Sequence, residues 1–109
     1  MPAAPPAPAP AFVSRGTLTG SQGIFTVLPS MEMKAGRDGA VCQILLSEPR
    51  VSGAHATLKI DGGQLFVRDD NSNNGTMING NRIPPGAWTP VGQNAQLRFG
   101  PVEFSVNLE

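Results

Sequence analysis

Asp69-Asp70-Asn71-Ser72-Asn73-Asn74-Gly75-Thr76-Met77-Ile78-Asn79-Gly80 is the stretch that decides how this chain is read. It holds two Asn-Gly steps, five residues apart, on either side of Thr76-Met77-Ile78. Both residue types tolerate positive φ, which makes Asn-Gly the strongest short turn signal. The two steps predict a short strand with a tight turn at each end. The first loop is longer than a hairpin needs, and Ser72, Asn73 and Asn74 crowd small polar side chains onto it. Hydrogen-bonding groups at the rim of a rigid sheet are where binding residues tend to sit. The neighbouring acids Asp69 and Asp70 would point to opposite faces of a strand, so they read as a solvated strand end rather than a metal pair.

Outward from this stretch the chain is a series of short β-type runs. Before it come Phe12-Val13, Thr17–Thr19, Ile24–Leu28, Met31–Lys34, Val41–Leu46, Ala54–Ile60 and Gln64–Asp69. After it come Asn81–Ile83, Ala87–Val91, Ala95–Phe99 and Val102–Leu108. Gly and Pro interrupt the windows between them, and no long stretch keeps a period of 3.6. Many short strands at regular spacing predict an all-β antiparallel sandwich or barrel. Its expected core is Phe25, Val27, Ile44, Leu46, Leu58, Ile60, Leu65, Val67, Ile78, Leu97, Phe99, Phe104 and Val106. Trp88 reads as a partly buried core residue, since no second aromatic accompanies it as a stacking platform.

A length of 109 residues bounds the chain to one domain with one modest core. Eight basic and eight acidic residues cancel, which argues against general nucleic-acid binding. One cysteine, Cys42, excludes an internal disulfide and a Cys-based zinc site, and reads as a small apolar residue. No apolar run approaches a membrane span. Residues 1–11 are Ala and Pro apart from Met1. This composition favours extended polyproline II, lacks the features of a secretory signal, and reads as a flexible linker before a domain over residues 12–109. The domain is accordingly expected to be one piece of a longer, cytoplasmic protein, joined to other domains through that linker.

Three loops hold the informative residues: Gly36-Arg37, Ser52-Gly53-Ala54-His55, and Ser72-Asn73-Asn74-Gly75-Thr76, followed by Asn79-Gly80. Gly-Arg, then Ser-x-x-His, then Ser-x-Asn-Gly-Thr, then Asn-Gly resembles the signature of the forkhead-associated (FHA) domain, over about residues 16–108. The resemblance implies an FHA/SMAD-like β-sandwich of about eleven strands. It also implies a pocket for phosphothreonine in partner proteins, built from loops at one end.

On that resemblance, Arg37 meets the phosphate with paired charge-assisted bonds, as a planar guanidinium can. Ser52 donates its hydroxyl and Gly53 its backbone N–H. Asn73 stands where the family often has Thr or Ser donating to the phosphate. Asn74 corresponds to the asparagine that bonds the ligand main chain, its amide offering both donor and acceptor. The family often carries a larger polar or basic residue at the Gly53 position, so both Gly53 and Asn73 are departures. Arg50, two residues before Ser52, is a candidate specificity contact for an acidic residue near the third position after the phosphothreonine. Gly36, His55, Gly75 and Asn79 are assigned structural support, with His55 tying the loops beneath the pocket.

Three functional readings follow. The first is a phosphothreonine-peptide recognition module that recruits a phosphorylated partner in Ser/Thr kinase signalling. The second is a phosphate-independent interaction or self-association module on the same fold, since a fold alone does not establish a working pocket. An enzyme is disfavoured, because the chain offers no nucleophile motif, no paired metal ligands and no nucleotide-binding glycine loop. No cofactor, metal, nucleic acid or membrane insertion is expected.

Overall fold

The structure is a computed structural model that describes residues 12–109; the Ala/Pro segment read as a linker lies outside the described residues. Eleven strands follow in order: β1 (Gly16–Gly20), β2 (Gly23–Val27), β3 (Glu32–Gly36), β4 (Ile44–Leu45), β5 (Ala56–Asp61), β6 (Gln64–Asp69), β7 (Thr76–Ile78), β8 (Asn81–Arg82), β9 (Thr89–Pro90), β10 (Gln96–Phe99) and β11 (Val102–Leu108). They form two sheets, β2-β1-β11-β10-β7-β8 and β4-β3-β5-β6-β9, packed as an all-β sandwich. No helix among the described residues is long and apolar enough to cross a membrane.

Alternation explains why the sheets face each other as they do. Along β11, Val102, Phe104, Val106 and Leu108 are buried while Glu103, Ser105 and Asn107 are exposed. A one-residue slip would turn the apolar set into solvent, so this pattern fixes the register with β1 and β10. A chain of edge-to-face aromatic contacts runs through the interior. Phe25 meets Phe104 at 5.8 Å, Phe104 meets Phe99 at 6.0 Å, and Phe99 meets the His55 ring at 5.8 Å. This links the core to the loop end of the molecule, and such contacts are worth about 0.5–1.5 kcal/mol each beyond their burial.

The eleven-stranded sandwich is antiparallel as expected apart from one pair of named strands, β3 with β4, which is parallel. Several finer expectations are corrected. Phe12-Val13 is not a strand, though Val13 is buried. The run Val41–Leu46 shortens to Ile44–Leu45 because the N–H groups of Val41 and Cys42 both turn back to the Asp38 carbonyl, at 3.2 and 2.9 Å. Phe25 and Ile78 pack against the core only partly buried. Trp88 lies outside the core altogether. Its ring is covered on the outward face of the second sheet by Lys59 Nζ at 4.3 Å and Arg68 Cζ at 4.6 Å.

Candidate functional site

The segments after β3, before β5, after β6 and after β10 share one end of the sandwich, as the antiparallel registers require. Gly36 lets the first two approach. A Cβ on Gly36 would collide with the Gly53 carbonyl oxygen and lie 2.9 Å from Cys42 Sγ. The closeness is used by two backbone bonds, Arg37 N–H to Ser52 O and Asp38 N–H to Gly53 O, each 3.1 Å. Arg37 is thereby anchored by its backbone, while its side chain is exposed and forms no ion pair among the described residues. Cys42 donates its thiol to Gly53 O at 3.1 Å, and burial pushes that thiol's pKa up, away from nucleophilic character.

His55 bonds two of these loops through its ring. Its ring is fully buried. Nδ1 accepts the Ser52 N–H at 3.1 Å, so the ring proton sits on Nε2 and is donated to Gly75 O at 2.9 Å. The His55 N–H reaches Ala35 O at 2.9 Å. One side chain thus ties Ser52 and Gly75 together.

Ser52 Oγ accepts the Asn73 backbone N–H at 3.1 Å. Asn74 Nδ2 donates to Arg50 O at 2.7 Å. Gly100 N–H also bonds Gly75 O, at 2.9 Å, and a Cβ on Gly100 would stand 3.0 Å from Arg50 O. Arg37, Ser52, Gly53, Asn73 and Asn74 thus lie along one rim, joined by main-chain bonds and by the Ser52 and Asn74 side chains. Arg50 stands at the edge with its Nε bound to Glu48 at 2.9 Å. That pairing holds the Glu48 carboxyl below its usual value and raises the guanidinium. Asn79 is remote from this rim. With φ of +52° and +82°, Asn79 and Gly80 form the expected turn, and Asn79 Oδ1 caps Gln96 N–H at 2.9 Å. At the other Asn-Gly step only Gly75 has positive φ, and the second positive-φ residue of that loop is Asn71.

The sequence reading missed the group that shapes this loop. Asp69 is not a solvated strand end: it is 2% exposed. Its carboxylate accepts the Ser72 hydroxyl at 2.5 Å, the Thr76 hydroxyl at 2.7 Å and the Ser72 N–H at 3.1 Å. Ser72 Oγ in turn accepts the Gly75 N–H at 3.0 Å. Burial pushes the Asp69 carboxyl pKa up, but the Ser72 and Thr76 bonds outweigh it and hold the group below its ordinary value. An Asp followed three residues on by Ser, an Asx-turn pattern, was the signal available. Asp70, on the opposite face, bonds Thr57 Oγ1 at 2.6 Å and Arg68 Nε at 2.7 Å. No group of His, Cys, Asp or Glu among the described residues could hold a metal ion.

A family model described as the FHA domain matches residues 33–100, more than half of the chain. This chain belongs to the FHA domain family. Solved structures share the fold at low identity. An FHA domain of CT664 protein from Chlamydia trachomatis superposes with a TM-score of 0.78 at 23% identity, over 86% of this chain and 97% of that one. The MEK1 FHA domain, in complex with a pThr peptide of HOP1, gives 0.77 at 19% identity, over 89% and 99%. The FhaA FHA domain, complexed with the intracellular domain of Rv3910, gives 0.71 at 23%, over 85% and 98%.

Proposed function

We propose that this chain is a phosphothreonine-peptide recognition module that recruits a Thr-phosphorylated partner after a Ser/Thr kinase has acted. The observation that carries the reading is the pairing of Arg37 with Ser52. Arg37 brings a guanidinium with no carboxylate partner among the described residues, and its backbone is bonded to that of Ser52. The Ser52 oxygen already accepts the Asn73 N–H, so its own proton is left for an incoming acceptor. A phosphothreonine offers nearly two negative charges and three acceptor oxygens, which suits a cation beside a lone donor. Asn73 and the Gly53 N–H add donors to the phosphate. Asn74, whose Oδ1 remains unused, reads the ligand main chain. The MEK1 relative, with its pThr peptide, supports this reading. The module acts in the cytoplasm, joined to further domains through the N-terminal linker, and is not an enzyme.

Titration with a phosphothreonine peptide, beside its unphosphorylated and phosphoserine forms, tests it. Binding confined to the phosphothreonine form supports the pocket. Equal binding to all three favours the phosphate-independent reading, which has one observation behind it. β2 is an open sheet edge of five residues without a charge, and its Ile24 is 69% exposed.

A further inference from the structure

Arg82 lies where nothing in the sequence signature places a ligand contact. Gly75 holds φ at +82°, and an ideal Cβ on it would stand 2.6 Å from Arg82 Nε. The Arg82 guanidinium therefore rests on the loop backbone at the residue directly after Asn74. The registers set Met77 opposite Arg82 on one side and Arg98 on the other. The two arginines thus flank Met77 on the outward face of the first sheet. Neither forms an ion pair among the described residues, and Arg98 Nε is buried with no hydrogen-bond partner. Glu103, cross-strand from Arg98, pairs with neither. Arg50, whose carbonyl Asn74 holds, differs: its charge is already shared with Glu48. Among the described residues Arg37, Arg82 and Arg98 form no ion pair, and Arg98 donates from Nη2 to Met77 Sδ at 2.6 Å.

We infer that Arg82, with Arg98 behind it, forms a subsite for an acidic side chain of the bound phosphopeptide and so sets sequence preference. The inference rests on the phosphothreonine reading of the rim. A peptide held at Asn74 in extended form advances about 3.3 Å per residue. A side chain within about three residues of the phosphothreonine is then within reach of a long arginine lying against Gly75. The Arg82 guanidinium is exposed and uncommitted, so a carboxylate can meet it without first displacing a partner. The contact adds preference rather than anchoring, since an exposed ion pair is weak.

The test uses phosphothreonine peptides with neutral flanks, in which Glu replaces Gln at each of three positions on either side. Wild type should favour Glu at one position by roughly two- to fivefold, the size of an exposed ion pair. Added salt should shrink that ratio. In R82Q the Glu-to-Gln ratio should fall to about one. Because the readout is a ratio within one variant, a general loss of affinity or stability does not imitate it. A flat scan in wild type, a ratio that survives R82Q, or a ratio abolished only by R50Q overturns the inference. Wild type that binds none of the phosphopeptides is a separate result. It overturns the phosphothreonine reading itself, and the inference with it.

Discussion

Asn73 donates its backbone N–H to Ser52 Oγ at 3.1 Å. The bond joins two loops and uses the serine oxygen as an acceptor, which leaves the hydroxyl proton free to be donated to another group. Positioning and donor chemistry are thus set by one contact.

Arg37 should separate from the fold in its effects, whereas Ser52 also carries the loop bond from Asn73. Arg37→Ala should lower phosphothreonine-peptide affinity by about 2–5 kcal/mol, the range for truncating one partner of a desolvated charge pair. Ser52→Ala should lower it by about 1.5–3 kcal/mol, as for a hydrogen bond to a charged group. Thermal melting of Arg37→Ala should match wild type, since the exposed side chain makes no ion pair among the described residues. Calorimetric titration and melting together check this.

Binding should weaken as pH falls below about 6, where the ligand phosphate takes up its second proton and loses charge. The decline should follow the ligand's own titration. Repeating the titration with a non-titrating sulfonate analogue, which should give a flatter profile, checks the assignment.

Asp69→Asn should destabilise the domain by about 1–3 kcal/mol, because an amide cannot accept all the bonds that the Asp69 carboxylate takes from Ser72 and Thr76. The carboxyl's folded pKa lies below its ordinary value of 3.8. The ionised group therefore stabilises the fold above that value, and the contribution is lost as pH falls through the lowered pKa. Urea unfolding between neutral pH and pH 2 should show this acid loss in wild type and a flatter acid limb in Asp69→Asn.

Gly36 and Gly53 should respond in opposite ways. A Cβ on Gly36 collides with the Gly53 carbonyl, so Gly36→Ala should part the two loops and reduce both stability and binding. A Cβ on Gly53 meets nothing nearer than Asp38 Cβ at 3.8 Å. Gly53→Asn should therefore fold normally and tighten phosphothreonine binding by about 0.5–1.5 kcal/mol through one added hydrogen bond. Affinity unchanged by Gly53→Asn would place the phosphate away from this backbone.

Much of the architecture was legible because it rests on local signals. The alternation of Val102–Leu108 and the turn at Asn79-Gly80 each carry their structure within a few residues. Gly36, His55 and Gly75 stood out through the resemblance of the loop motifs to the FHA signature, and their contacts join the loops that carry those motifs. Asp69 did not, because its burial depends on Ser72 and Thr76 closing over it, which only the folded loop arranges. Trp88 was misplaced because a lone aromatic between prolines has no periodicity. Its environment is set by Lys59 and Arg68 on other strands. The Arg82 contact with Gly75 was hidden for a related reason, since a turn and a register must form before the two meet.

The most direct measurement is a two-dimensional amide NMR titration of the domain with a phosphothreonine peptide. The largest shifts should fall on Arg37, Ser52, Gly53, Asn73 and Asn74, and they should vanish with the unphosphorylated peptide. Shifts confined to the β2 edge around Ile24, or identical shifts with and without the phosphate, would contradict the phosphothreonine reading.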